Sequence, residues 1–196
     1  MKKNDLKFKF SINQNKISKK LGYKPKLVWL YGLSGSGKST IINQVQIDLF
    51  KKNIMTIILD GDHVRNGINS DLGFSEDDRL ENIRRVAEIS KVLLDNGQIV
   101  LCSFITPLNS HKELVNKLVG KKNIIWIFID TPIQTCINRD PKGLYKKALN
   151  NEILNFTGIT QKFEFFDTPN LTLNGEDNVK INSEIIISEL IKKQNK

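Results

Sequence analysis

Short apolar runs recur along the chain, and the segments between them carry apolar residues at helical spacing. The apolar runs predict buried strands at residues 27–31, 55–59, 99–104 and 124–129, with a short fifth strand at 171–173. Apolar residues three and four apart predict helices at residues 39–50, 79–94, 111–119 and 181–191. Strands that alternate with helices are typical of βαβ units. We therefore expect an α/β fold, with a parallel β-sheet flanked by helices on both faces.

The composition fits one domain, and the charge is distributed unevenly. The chain has 196 residues, of which 39% are hydrophobic and 26% charged, with a formal net charge of +9. Residues 1–26 hold nine lysines and one aspartate, whereas residues 27–191 hold 18 basic and 20 acidic side chains. The basicity is therefore a property of the ends. We expect a basic, flexible N-terminal arm at residues 1–24 and a single domain at residues 25–196.

The near-neutral domain does not favour a nucleic-acid-binding protein. Neither the arm nor the domain interleaves arginine with aromatic residues, as single-strand binding surfaces do. Weak contacts between the lysine-rich arm and an anionic partner remain open.

Nothing in the sequence predicts a membrane segment or a redox site. No apolar run approaches the roughly 20 residues that a membrane helix needs, and no apolar signal segment follows the basic start at residues 1–7. We expect a cytoplasmic protein. Cys102 and Cys136 lie in apolar segments, so we expect reduced thiols in the core rather than a disulfide or a metal site.

A glycine-rich loop follows the first predicted strand and precedes the first predicted helix. Its sequence, GLSGSGKS at residues 32–39, matches the pattern G-x-x-x-x-G-K-[ST] in full. Glycines let backbone N–H groups curl around phosphate oxygens, the lysine reaches the β- and γ-phosphates, and the last hydroxyl holds Mg²⁺. We assign ATP binding to Gly32, Leu33, Ser34, Gly35, Ser36, Gly37, Lys38, Ser39 and Thr40.

Two aspartates stand at the carboxyl end of the second predicted strand, where ligands bind in sheets of this kind. Asp60 and Asp62 are two residues apart, so in extended backbone both side chains face one side across Gly61. A carboxylate pair beside Mg·ATP suits metal positioning and acceptance of a proton from an attacking hydroxyl. A surface turn is the alternative for this segment alone.

The residues that follow favour a binding site over a surface turn. Polar, basic and aromatic residues gather within a short span: Arg65, Asn69, Phe74, Arg79 and Asn82. Arginines bind anionic groups through paired hydrogen bonds, and a phenylalanine ring can stack on a base. This span predicts a site for an anionic nucleotide as phosphoryl acceptor.

Six segments of the chain resemble the adenylyl-sulfate (APS) kinase family, in the family's order. They are LDGDHVRNGIN at 59–69, DLGFSEDDR at 71–79, ENIRRVAE at 81–88, SFITP at 103–107, RDPKGLYKKA at 139–148 and FTGI at 156–159. The resemblance runs from about residue 19 to the C-terminus and implies a single P-loop kinase domain. It implies transfer of the ATP γ-phosphoryl group to the 3′-hydroxyl of adenosine 5′-phosphosulfate in sulfate activation. It also implies Mg²⁺ and a homodimer.

The resemblance implies a role for particular residues of this chain. It implies that the catalytic residues are Lys38, Asp60, Asp62 and Thr106, and that the metal ligands are Ser39 and Asp60. Phe74 and Phe156 sandwich the acceptor base, and Lys142 belongs to a lid that closes on both substrates. The full acceptor set is Asp62, Arg65, Asn69, Phe74, Arg79, Asn82, Ile105, Thr106, Lys142, Phe156 and Thr157.

The chain departs from the family pattern around the acceptor pocket. Thr106 stands where the family usually has serine, and residues 108–113 and 160–166 lack several side chains that the family carries there. Two alternatives therefore stay open beside an APS kinase. One has the same chemistry on another nucleotide, such as cytidine diphosphoramidate in capsule polysaccharide biosynthesis. The other is a nucleotide-binding regulatory subunit with little turnover.

Overall fold

A parallel five-stranded sheet organises the protein, which is described by a computed structural model at residues 11–165 and 168–192. The strands are β1 (Leu27–Tyr31), β2 (Thr56–Asp60), β3 (Ile99–Ser103), β4 (Ile124–Asp130) and β5 (Leu171–Asn174). Their order is β2-β3-β1-β4-β5, and every pair is parallel. The carboxyl ends of all strands therefore meet at one edge, which positions the site.

Helices connect the strands and cover the sheet. They are α1 (Gln14–Leu21), α2 (Lys38–Phe50), α3 (Gly61–Asn66), α4 (Glu76–Asp95), α5 (Asn109–Val115), α6 (Ile133–Arg139), α7 (Leu144–Leu149) and α8 (Val179–Lys192). A π-helical turn at Asn116–Gly120 and a 3₁₀ turn at Lys121–Asn123 lead into β4. The N-terminus of α4 shows why these helices begin where they do, because the Ser75 hydroxyl accepts a hydrogen bond from the Asp78 N–H.

Each face of the sheet has its own core. Trp29 of β1 packs with Val86 of α4 and Trp126 of β4 on one face. The next residue of β1, Leu30, packs with Val45 and with α8 on the other face. The prediction of a parallel sheet covered on both faces is confirmed. Cys102 and Cys136 are free and buried, as expected for reduced core thiols.

All five strands predicted from apolar runs are present with bounds shifted by at most one residue. Three of the four predicted helices are present with wider limits, and the helix predicted at 111–119 is present as α5 followed by the π-helical turn. The sequence did not predict α1, α3, α6 and α7. The helix α1 has no buried residue, although Gln14 Nε2 donates to Leu94 O at 3.2 Å and Ile17 packs on Gly97. Part of the predicted arm is thus a helix against the domain. Residues 1–10 lie outside the described range, and the domain boundary after residue 24 stays a prediction.

Over the described ranges 11–165 and 168–192, no helix has the length and apolar character required to cross a membrane.

The turn after β5 supports the glycine-rich loop. Gly175 N donates to Asp130 O at 2.8 Å, and Thr131 Oγ1 donates to Ser36 O at 2.9 Å. Arg139 donates to the carbonyls of Gly35 and Gly175, at 3.3 and 3.1 Å. A Cβ atom on Gly175 would overlap the Thr131 hydroxyl and the Ser36 carbonyl, so only glycine fits between them.

Gly175→Ala is expected to displace the glycine-rich loop and to weaken binding of Mg·ATP more than about tenfold, because the new methyl group overlaps the Ser36 carbonyl and the Thr131 hydroxyl that bonds to it. Gly22→Ala is the matched control, since a Cβ at Gly22 meets no atom within 4 Å and pays only the left-handed strain of about 1 kcal/mol. Titration calorimetry gives both Kd values. Equal ATP affinity in the two variants would contradict the proposed support of the loop.

Candidate active site

A cavity of about 1230 Å³ opens at the carboxyl edge of the sheet. The glycine-rich loop borders one end, and α3, α4 and the segment after β3 border the other. Most of the predicted site residues line it: Ser34, Gly35, Gly37, Lys38, Ser39, Thr40, Asp60, Asp62, Arg65, Phe74, Arg79, Asn82, Ile105, Thr106, Lys142, Phe156 and Thr157. The predicted residues Gly32, Leu33, Ser36 and Asn69 are not part of its lining.

Two glycines shape the loop between β1 and α2. Gly32 has φ +151°, and a Cβ there would lie 2.6 Å from Ile129 O. Gly37 has φ +101° and precedes the first residue of α2. The loop therefore turns tightly over the end of the sheet and delivers the N-terminus of a 13-residue helix to the cavity. A helix N-terminus carries unpaired N–H groups and a partial positive charge, both of which favour phosphate.

The ammonium of Lys38 is buried within the loop. Nζ donates to Gly32 O at 3.0 Å and to Leu33 O at 2.6 Å. Burial lowers the pKa of Lys38 to about 8, because a charged ammonium loses hydration there. An anion at this end of the cavity would stabilise the charged form of Lys38, and it would find the ammonium already in place.

A hydrogen-bonded group joins the loop to the ends of β2 and β3. Ser39 Oγ donates to Asp60 Oδ2 at 2.7 Å and lies 3.2 Å from Ser103 Oγ. Burial alone would raise the pKa of Asp60, but hydrogen bonds from Ser39, from the Asp62 N–H and from Ser103 outweigh it and lower the pKa. The carboxylate therefore stays ionised.

These oxygens fit a magnesium ion. The site offers the Asp60 carboxylate and the Ser39 hydroxyl, which are the hard oxygen ligands that Mg²⁺ prefers. No cluster of three or more His, Cys, Asp or Glu residues suited to a metal occurs among the described residues. Mg²⁺ usually takes one or two protein oxygens and completes its shell with waters and substrate phosphates, so this donor set suits an ion that arrives with a nucleotide.

The interpretation of Asp60 and Asp62 as an extended pair is wrong. The helix α3 begins at Gly61, and Asp60 is its N-cap, with Oδ1 accepting from the Asp62 N–H at 3.0 Å. An aspartate that caps a helix satisfies an otherwise unpaired N–H, and this local bond overrides the extended reading. Both carboxylates still line the cavity.

Lys142 forms an ion pair with Asp62 across the cavity mouth. Both side chains are about half exposed, so the pair adds little to stability. Lys142 lies in the turn between α6 and α7, which Gly143 completes with φ +65°. The contact ties the predicted lid to a predicted catalytic carboxylate.

Arg79 organises the far end of the cavity. Its guanidinium donates to Phe74 O at 2.9 Å, to Thr157 Oγ1 at 3.1 Å and to Asn155 O at 2.6 Å. The Arg65 guanidinium lies 4.5 Å from the centre of the Phe74 ring. Two cations therefore stand beside an aromatic ring, as an anionic nucleotide requires.

Two phenylalanines at this end differ in their surroundings. Phe74 is 61% exposed, whereas Phe156 is 8% exposed and meets Tyr145 edge-on at 4.9 Å between ring centres. Both line the cavity. An exposed ring and a fixed ring in one cavity suit a planar base that buries the exposed ring when it binds.

Asn69 and Thr106 occupy supporting positions. Asn69 is fully buried and donates to Asn82 Oδ1 at 2.9 Å, so it orients Asn82, which lines the cavity. Thr106 is 2% exposed, and its hydroxyl accepts from Trp29 Nε1 at 2.8 Å.

Several residues that line the cavity were assigned no role from the sequence, among them Ser103, His111 and Arg139. Ser103 is a polar residue at the carboxyl end of an apolar strand, which is a signal for a site, whereas the residues around His111 carry no such signal. Arg139 opens a segment that carries the family resemblance, yet no role was assigned to it.

The chain is similar to adenylyl-sulfate kinases throughout this region. A family model described as adenylylsulphate kinase matches residues 24–174. An adenylyl-sulfate kinase of Buchnera aphidicola is 48% identical over 182 residues, which is 93% of this chain and 88% of the relative. One from Bacteroides thetaiotaomicron is 46% identical over 87% of this chain and 84% of the relative.

A solved structure agrees with the sequence relatives. The Mycobacterium tuberculosis APS kinase CysC, solved in complex with AMPPNP and APS, has a TM-score of 0.82 and 41% identity, covering 87% of this chain and 99% of that chain.

Lys38→Met tests the burial of the ammonium. Because the pKa is about 8 in the folded protein against an ordinary 10.5, the unfolded chain holds this proton between pH 8 and 10.5 while the folded protein has lost it. Stability then rises with pH in that window. Without nucleotide, the unfolding free energy of the wild type minus that of Lys38→Met is expected to rise by on the order of 2–3 kcal/mol from pH 7.5 to 10.5.

Denaturant titrations of both proteins across this pH range measure the difference, in which the titration of all other groups cancels. A difference that stays constant with pH would show that Lys38 keeps an ordinary pKa.

Proposed function

Because the chain belongs to the adenylyl-sulfate kinase family, we propose that it transfers the γ-phosphoryl group of ATP to the 3′-hydroxyl of adenosine 5′-phosphosulfate. One observation carries the proposal beyond the family: a phosphate loop and an anion- and base-binding end share one cavity, with Asp60 and Asp62 along its wall. Such a cavity holds donor and acceptor together, as direct phosphoryl transfer requires.

The donor end is built for a triphosphate. The loop and the N-terminus of α2 receive the phosphates, and the Lys38 ammonium meets the charge that grows on the transferred group. Ser39 and Asp60 would hold Mg²⁺, which would neutralise negative charge on the phosphates when bound.

The acceptor end positions the hydroxyl. Arg65, Arg79 and Asn82 bind the phosphosulfate, and Phe74 and Phe156 stack on the base. Asp62 accepts the proton of the 3′-hydroxyl as the new bond to phosphorus forms. Lys142 pairs with Asp62 at the cavity, and closure of the turn that carries Lys142 excludes water from the transferred group.

Three expectations stay predictions beside this proposal: a homodimer, a cytoplasmic location and a direct catalytic part for Thr106. The hydrogen bond from Trp29 to Thr106 supports a part in shaping the backbone at Ile105 and Thr106, which reads the nucleoside.

ADP release from Mg·ATP, measured with APS and with a panel of other 5′-substituted nucleotides, tests the acceptor. We expect turnover with APS at micromolar concentration and at least about 100-fold lower kcat/KM with cytidine nucleotides, since the residues around the base, not stacking, select it. Turnover with a cytidine nucleotide and not with APS would make the cytidine nucleotide the acceptor and would leave the assignments at the donor end unchanged. Tight ATP binding without turnover on any acceptor would indicate a regulatory subunit.

Asp62→Asn tests the proton acceptor. The amide keeps the shape of the side chain but cannot take the proton, so kcat is expected to fall by about 10²- to 10⁴-fold, while the KM for APS changes less than about threefold. Asp95→Asn, at the exposed end of α4, is the matched control and should behave as wild type. A raised KM with an unchanged kcat would make Asp62 a binding residue instead.

A further inference from the structure

The imidazole of His111 is a polar group in the cavity wall that the proposed mechanism does not use. His111 lies in α5, directly after the segment that holds Ile105 and Thr106. The residue is 2% exposed and lines the cavity near Arg79. Its place is therefore the acceptor end and not the donor end.

One ring nitrogen of His111 lacks a hydrogen-bond partner among residues 11–165 and 168–192. Nδ1 is enclosed and accepts or donates no hydrogen bond within the part of the chain that the structure describes. A buried polar atom without a partner is destabilising, and such atoms are rare unless a ligand or water completes them. An acceptor nucleotide is the polar molecule that the proposed function brings to this wall.

Burial, helped by one neighbouring charge, keeps the ring neutral. Burial is the main cause that lowers the pKa of His111 to about 4, the positive charge of Arg79 adds to the shift, and the Glu164 carboxylate opposes it. A neutral imidazole has one N–H donor and one nitrogen acceptor. A nucleoside also carries both donors and acceptors, so the two can form hydrogen bonds.

The two segments that depart from the family pattern meet at this residue. Glu164 Oε2 accepts from Asn109 N at 2.9 Å, and Glu164 N donates to Pro107 O at 2.8 Å. Residues 160–165 therefore hold the start of α5 in place. Within residues 108–113, His111 is the residue that lines the cavity, next to Pro107.

We propose that His111 is a specificity-determining residue of the acceptor site, whose imidazole hydrogen-bonds the bound acceptor nucleotide beside Arg79. The inference rests on the proposed function, because it takes the far end of the cavity as the acceptor site. The competing view is a packed core histidine that makes no contact with substrate.

His111→Leu and His111→Asn separate the two views. If His111 bonds the acceptor, the leucine variant should raise the KM and the calorimetric Kd for APS about three- to tenfold. The KM for ATP should stay within about twofold, and the thermal midpoint should be unchanged or higher because an unpartnered polar atom is removed. His111→Asn, which keeps a donor and an acceptor near the Nδ1 position, should recover part of the affinity.

Val115→Ala is the control for packing, because Val115 is fully buried in the same helix and should lower the thermal midpoint without changing the Kd for APS. A His111→Leu protein that binds APS as tightly as wild type would overturn the inference, as would a loss of APS and ATP affinity together with a lower midpoint. A wild type that binds APS without turnover would contradict the proposed function and not the role of His111.

Discussion

The arrangement of the whole donor end depends on the burial of one ammonium group, that of Lys38. A buried cation must be surrounded by oxygens, and the loop provides them as its own carbonyls from Gly32 and Leu33. Gly32 also packs against Ile129 O, where a Cβ atom would clash. The loop in turn rests on the Thr131 hydroxyl and the Gly175 turn. The loop and the sheet thus hold a buried ammonium whose carbonyl partners carry no net charge, so the ammonium attracts a bound anion.

The link from donor to acceptor passes through Asp60. One of its carboxylate oxygens accepts from Ser39, beside the phosphate loop, and the other caps α3. The cap fixes where α3 begins, and so fixes Asp62 in its first turn. The same helix carries Arg65 to the Phe74 ring. A single side chain at the end of β2 therefore sets the distance between the phosphate loop and the acceptor end.

The sequence predicts the parts of the fold that burial dictates. Strands such as β1 are buried on both faces and read as unbroken apolar runs, and the phosphate loop carries its own pattern. It does not predict α3, because a six-residue helix is specified by the Asp60 cap and has almost no apolar stripe. It does not predict α1 for a similar reason, since that helix has no buried residue. The sequence does not predict His111 as a site residue, because its position depends on a contact between Glu164 and Asn109, which are 55 residues apart.

The stereochemical course at phosphorus tests most directly whether the two ends of the cavity act on each other. ATP whose γ-phosphoryl group is chiral through oxygen isotopes and sulfur would be used as donor with APS, and the configuration of the product would be determined. One in-line transfer between two nucleotides in one cavity predicts inversion. Retention would contradict the account, because it requires a second transfer through a phosphorylated side chain, a part for which the buried, hydrogen-bonded hydroxyl of Thr106 is poorly placed.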